Sequence, residues 1–481
     1  MKSVCDDYLG QGSSFQIFLT LVRYPLGIAL FLLPWSMKFG GIIAGPILIA
    51  VFVIINAYRG HVLTKIAEDL TSKGIAAPSG ISDWWVLENS MGGIRRTSVN
   101  CYLVIFSTIQ WFSLLGHAST FLAFAGLSFR QVFQTSAGVD GDRVAIGICI
   151  VAVVIAHAFT QWLRNNIHGS CEDCICPCIC SAFLLILMPA LFAVFLGLPT
   201  IVFFTSRLAS SNDALQLTTD TKWDKICLLF AGVIFTTGAT PDDVTASYEN
   251  LRDRKKFPII LIVAAFVTIV VGIGMSVAVF LGLGLETCGS ITFNLPLNGG
   301  TYPIVRIASG TLALVFVSFR HQIDPALSER LSGAEILCDV AFKMIFLGVA
   351  GGLALGIPSY AGLACLFGSL TSFTLTFVFP FLSDLLLHVT GGRVAADDNE
   401  DLLHDEEGTS LTGEPSSRHQ HQEPLSVLRI IRDVLFIAIG IAGLIAGMAY
   451  TSEFLRTELQ QSALADCDHV PYNGTSIFST V

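Results

Sequence analysis

Apolar runs long enough to cross a bilayer, each closed by charged or turn-forming residues, recur from residue 15 to residue 451 of this chain. Nothing else constrains its fold as much, because such runs read as membrane-spanning helices and make the chain an all-α integral membrane protein. About eleven spans meet the criterion, over 15–39, 42–62, 99–129, 144–162, 181–204, 226–240, 258–283, 302–319, 340–357, 360–388 and 427–451. The 481 residues would ordinarily divide into about three soluble domains. Yet 53% of them are apolar and only 13% charged, roughly half the charged fraction of a soluble globular protein. A soluble enzyme is excluded, and the core is one membrane domain. Around it the sequence places a cytosolic N-terminal tail (1–14) without a cleavable signal pattern, a core of ten helices (15–388), and an acidic, disordered cytosolic loop (389–426). An eleventh helix (427–451) and a lumenal or extracellular tail (452–481) follow.

An odd number of spans puts the two termini on opposite sides of the membrane. With the N-terminus in the cytosol, the inner loops carry about seventeen Lys and Arg and the outer loops about seven, as the positive-inside tendency requires. The densest anchor is Arg252, Arg254, Lys255 and Lys256. The single Asn-x-Ser/Thr sequon, at Asn473, then falls on the outer tail, where a glycan is expected. A formal charge of −10 argues against nucleic acid as a partner. The lipid bilayer is the partner that the composition demands.

Irregularity inside a span points to a transport site, because a broken helix frees backbone carbonyl and N–H groups that can hold ions or charged substrate groups. The first span carries Pro25 and Gly27 at mid-depth, and the sixth is short and ends Thr236-Thr237-Gly238-Ala239-Thr240-Pro241. If the first ten spans form two halves of five, these breaks occupy matching positions, the arrangement of an inverted-repeat transporter. The expected substrate-binding residues are Leu26, Gly27, Ile28, Ala29 and Leu30 at the first break and Thr236, Thr237, Gly238 and Ala239 at the second.

Particular residues carry a family resemblance. Phe15-Gln16, Leu21-Val22-Arg23, the run Gly27-Ile28-Ala29-Leu30-Phe31-Leu32-Leu33-Pro34, Lys38, Gly41 and Gly45-Pro46 resemble the opening of the amino acid/auxin permease family. The subgroup most alike is the proton-coupled amino acid transporters. Phe129-Arg130-Gln131-Val132, Glu249-Asn250 before Lys256-Phe257-Pro258, and Gly289-Ser290-Ile291-Thr292-Phe293-Asn294-Leu295-Pro296 extend the likeness, the last being the most specific. It covers most of 15–388. The resemblance implies a LeuT-like (APC-type) five-plus-five inverted repeat with one added helix. It also implies secondary transport of small neutral amino acids, many relatives working by proton symport. H+ is the coupling ion expected, with Na+ the alternative, and no cofactor is expected.

Two departures from the family bear on mechanism. The Gly-x-Gly of the first break reads Gly27-Ile28-Ala29, and the added methyl narrows the space where substrate backbone atoms are expected. The subgroup's histidine is replaced by Thr20, which cannot titrate. Near the second break the family's acidic position falls by Gly238, so Asp242 and Asp243, about one turn further on, become candidate coupling groups. The bland alternative is that they cap the cytosolic end of the sixth span. Arg23 lies inside the first span, where an unpaired charge costs at least about 3 kcal/mol, and is a gating or ion-pair candidate. His117 and His157 read as packing histidines rather than proton relays. Lys343 with Asp339, and Asp384, read as charges that pair locally or snorkel at span ends.

The cluster Cys171, Cys174, Cys176, Cys178 and Cys180 lacks the two-pair spacing of a structural metal site, and no metal is expected. Reduced or acylated juxtamembrane thiols fit it better. In the acidic loop, Asp398 followed by Leu402-Leu403 resembles the dileucine signals read by sorting adaptors. That points to a lysosomal, vacuolar or endosomal membrane, with the plasma membrane as the alternative. No catalytic constellation is visible, so an enzyme is not expected. The competing reading is an amino-acid-sensing receptor that keeps the transporter fold with little turnover, which Thr20 and Ala29 would permit.

Overall fold

A computed structural model of the chain describes residues 13–23, 25–72, 96–133, 139–167, 225–237, 241–283, 287–295, 302–320, 333–386 and 427–458. These are almost wholly helical. In chain order the helices are α1 (Ser14–Arg23), α2 (Leu33–Ser72), α3 (Arg96–Phe133), α4 (Val139–Ile167), α5 (Ile226–Thr237) and α6 (Pro241–Glu249). Then follow α7 (Phe257–Leu283), α8 (Tyr302–Arg320), α9 (Gly333–Gly356), α10, which opens as Tyr360–Phe367, and α11 (Val427–Glu458). Short 3-10 turns at Ile28–Leu32 and Ile291–Asn294 precede α2 and α8. Among the described residues, five stretches are long and apolar enough to cross a membrane: Leu30–Glu68, Val104–Phe133, Arg254–Leu281, Tyr360–Leu386 and Val427–Arg456. Shorter apolar helices cover Ile226–Thr237, Pro303–Leu314 and Ala341–Gly356. The expected fifth span, 181–204, lies outside the described residues.

α2 is two helices joined across a kink. Gly41 has φ 64° and ψ −172°, a backbone region essentially reserved for glycine, and it falls between the first and second expected spans. The next turn returns so closely that a Cβ on Gly40 would lie 2.8 Å from Cα and N of Gly45.

Each end of the bundle is held by polar contacts that include buried arginine–aspartate pairs. At one end the loop 287–295 forms a capped 3-10 turn: Ser290 Oγ accepts from Thr292 N, and Asn294 Oδ1 accepts from Cys288 N at 2.8 Å. Arg306 of α8 donates to the carbonyls of Thr292 and Leu295, and Gln131 of α3 donates to that of Phe293. Arg130 pairs with Asp142, and Arg143 donates to Leu355 O. At the other end, Tyr248 of α6 donates to Glu68 of α2 at 2.9 Å. There Asp384 of α10 accepts from Arg429 and Arg432 of α11.

Buried apolar side chains form two separate clusters. One contains Leu30 to Phe39 after the first break, most of α5, and the middle of α3 and α10. The other gathers Ile17, Leu21 and Val22 of α1, Val62 to Ile66 of α2, Val244 and Tyr248 of α6, and Phe257 at the start of α7. Phe379 and Phe381 near the end of α10 join the second cluster.

α5 and α10 approach backbone to backbone. A Cβ on Gly368 would overlap the Ala231 carbonyl oxygen and lie 3.1 Å from Phe235 Cβ. Gly368→Ala is therefore expected to destabilise by about 1–3 kcal/mol through overpacking, read as a lower melting temperature in detergent. Gly348→Ala, where a Cβ meets nothing within 4 Å, should leave it unchanged. Equal melting temperatures for both variants would refute the close approach.

Candidate functional site

The first break is built by what a helix can and cannot continue through. α1 ends at Arg23, and its last backbone bond runs from Leu26 N to Val22 O at 3.0 Å. Pro25 has no N–H to give. The chain then passes through Gly27, which is buried with φ −83° and ψ −150°, and restarts as the 3-10 turn Ile28–Leu32, Leu30 N donating to Gly27 O at 3.0 Å. A helix start leaves its first N–H groups without intrahelical carbonyls. Such a start is a site for a carboxylate.

The second break is its counterpart. α5 stops at Thr237, whose hydroxyl, like that of Thr236, turns back onto Val233 O, at 2.7 and 2.9 Å. α6 restarts at Pro241, the first helical position that proline favours. Gly238 and Ala239 lie outside the described residues.

The expected sixth span ended at 240, and the structure adds α6 beyond it. Its Val244, Thr245, Ser247 and Tyr248 are buried against α2 and α7, and tertiary packing holds a segment whose own apolar content is low. Asp242 and Asp243 thus stand in the first turn of a second half-helix rather than at the end of the first. That position suits carboxylates, because the helix macrodipole is positive there.

The breaks coincide with the seam between the two apolar clusters. α1 and α6 belong to one cluster, while Ile28–Leu32 and α5, which touch one another, belong to the other. Leu26 packs against both. The structure therefore brings the first-break residues Gly27 to Leu30 beside the helix that ends in Thr236 and Thr237. It describes the backbone but not the side chains of Arg23, Ile28, Ala29, Asp242 and Asp243.

Polar side chains from three further helices face this seam. Asn56 of α2 donates to Thr237 Oγ1 at 3.0 Å. One turn along the same face, Arg59 is 1% exposed and donates to Thr376 Oγ1 of α10 at 3.4 Å. An isolated arginine in an apolar run was as visible in the sequence as Arg23, and Asn56 stands three residues before it. His117 of α3 packs as expected: Nδ1 lies 2.7 Å from Ser113 O, and the ring stacks on Phe235 at 4.6 Å. Thr20 Oγ1 is engaged with Gln16 O at 3.0 Å within α1.

α10 carries an irregularity that the sequence reading missed. Gly368–Ser372 and Thr374–Val378 are π-helical, and Thr371 and Thr374 hydroxyls bond back to Phe367 and Leu370 carbonyls. Such bulges cluster at functional sites. Their only signal in the sequence was the dense Ser and Thr run after Gly368. Asp384, read as a charge that pairs locally or snorkels at a span end, is buried between two guanidinium groups from a different helix, α11.

Asn473, Asp398, Leu402, Leu403 and the cysteines 171–180 lie outside the described residues, as does the side chain of His157. Among the described residues, no group of three or more His, Cys, Asp or Glu is placed to hold a metal. Two half-helix pairs meeting at a seam, with hydroxyl, amide and guanidinium groups around it, can hold a small zwitterion. Helix starts suit its carboxylate and helix ends its ammonium. Residues 10–391 match the family model described as transmembrane amino acid transporter protein.

Proposed function

The chain belongs to the transmembrane amino acid transporter family, and from that premise we propose that it is a secondary carrier of small neutral amino acids driven by proton symport. The observation that carries this reading is the placement of both helix breaks on the seam between the two apolar clusters. Rocking of one packed body against the other would open the seam alternately to each face of the membrane, as in a five-plus-five inverted repeat. The substrate carboxylate would approach the helix start at Gly27 and Ile28, and its ammonium the end of α5. Ala29 keeps the site small. With Thr20 unable to titrate, Asp242 and Asp243 are the coupling candidates, set where α6 begins. The acidic dileucine and the sequon at Asn473 support an endosomal, lysosomal or vacuolar membrane with the N-terminus cytosolic.

Purified protein in liposomes should accumulate labelled small neutral amino acids under an imposed pH gradient, and a protonophore should abolish the accumulation. Asp242→Asn or Asp243→Asn should remove pH-driven accumulation while leaving exchange of internal for external amino acid. If both variants retain full accumulation, neither carboxylate is the coupling group. Saturable binding without flux would instead establish a receptor that kept the fold.

A further inference from the structure

Beside the end of α5 lies a buried acceptor with no donor among the described residues. Thr237 Oγ1 gives its proton to Val233 O at 2.7 Å, and Thr236 Oγ1 gives its own to the same carbonyl at 2.9 Å. A hydroxyl has a single proton to donate, so toward Asn56 of α2, 3.0 Å away, Thr237 Oγ1 can only accept. The orientation of the amide follows: Nδ2 is turned to Thr237, and Oδ1 is left over. Although Asn56 is partly exposed as a residue, Oδ1 is sealed from solvent and accepts no hydrogen bond among the described residues. Burying a bare acceptor is costly. The position calls for a ligand that donates.

That requirement excludes a carboxylate, whose oxygens would meet Oδ1 lone pair to lone pair. A cation or an ammonium group satisfies it, and Arg59 separates the two. Arg59 stands three residues after Asn56, on the same face of α2. Its guanidinium is buried and donates to Thr376 Oγ1 at 3.4 Å. A bare metal ion on Oδ1 would put a second positive charge near a buried one, and surroundings of low dielectric penalise that. A zwitterion carries its own carboxylate and adds no net charge. The end of α5 favours the same ligand. Thr237 is its last residue, and the last carbonyls of a helix carry the partial negative charge that suits an ammonium.

On the reading of this chain as a carrier of small neutral amino acids, we propose that Asn56 Oδ1 accepts a hydrogen bond from the α-ammonium of the substrate. α2 then supplies a binding residue in addition to the two helix breaks. The bond from Nδ2 to Thr237 holds the amide in register with the end of α5, so both helices meet the same ammonium. Asn56 reads the amino group that all such substrates share and leaves the choice of side chain to the first break.

The test is equilibrium binding of labelled alanine and of labelled propionate, which is alanine without its amino group, to purified protein in detergent and Na+-free buffer. Wild type should hold alanine at least about tenfold more tightly than propionate, the worth of a hydrogen bond to a charged group. Asn56→Leu, close in volume but without the acceptor, should weaken alanine binding at least about tenfold and leave propionate unchanged. Asn56→Asp keeps an acceptor and should keep the preference for alanine, which decides the question if the leucine variant fails to fold. Equal weakening of both ligands by Asn56→Leu would show that the amide merely props α5, and would overturn the proposal. Loss of the preference in Asn56→Asp would do the same, as would a preference for alanine that appears only when Na+ is added. Wild-type protein that binds no small neutral amino acid overturns the substrate class and this proposal together. Alanine binding untouched by Asn56→Leu overturns this proposal alone.

Discussion

Asp384→Ala is expected to cost about 3 kcal/mol, the lower end of what breaking a buried ion pair by removing one partner costs, and to reduce sharply the yield of monodisperse protein in detergent. Asp384 is 3% exposed, and its carboxylate accepts from Arg429 Nε and Nη2 at 3.1 and 2.6 Å and from Arg432 Nη2 at 2.5 Å. Arg432 also donates to Asp433 and to Tyr58 Oη at 2.9 Å, its guanidinium 5.9 Å from the Tyr58 and Phe381 ring centroids. The arginines are about a quarter exposed, which is why the lower end of the range applies. Two arginines and two aspartates balance; deleting one aspartate leaves a surplus positive charge. Most of the remaining grip on this end of α11 is aromatic, chiefly Phe436 stacked on Phe381 at 4.3 Å. Removing Arg429 as well should restore part of the loss, because Arg432 and Asp433 then balance alone. The check is a double-mutant cycle on melting temperature. Additive losses would show that Asp384 and Arg429 do not interact energetically.

What could be read in the sequence was whatever has a local cause. Apolar length located helices that the structure describes, the span bounds at 39 and 42 bracketed the kink at Gly41, and Pro25, Gly27 and the run from Thr236 to Pro241 marked the interruptions in the helices. What could not be read depends on a partner far along the chain. Asp384 lies 45 residues before Arg429, so local reasoning saw only a charge at a span end. α6 is polar in composition and is held by the second apolar cluster, which no window of its own residues reveals. α11 runs through Ser452 and Glu453 to Glu458 because Phe454 and Leu455 pack on the core. The apolar run itself ends at Thr451. The π turns of α10 follow from its Ser and Thr hydroxyls and its close approach to α5, and only the first of these is written in the residues.

Gly27→Val is expected to reduce uptake at least about fivefold, the equivalent of about 1–3 kcal/mol of steric conflict arising only with substrate bound, while leaving abundance and melting temperature close to wild type. The residue is not glycine for its backbone conformation, since φ −83° is open to any side chain. Its reason must be space. Gly27 is buried, its carbonyl accepts from Leu30 N, and a helix start leaves its first N–H groups without intrahelical carbonyls. A valine there would occupy the volume through which a substrate carboxylate has to approach those groups. Gly27→Ala should give a smaller loss in the same direction. Ala29→Gly, which removes a methyl two residues on, should extend transport to larger side chains. These variants separate a site from a packing position: if Gly27→Val lowers melting temperature in proportion to uptake, the glycine is there to let helices pack. If uptake survives unchanged, the first break takes no part in binding.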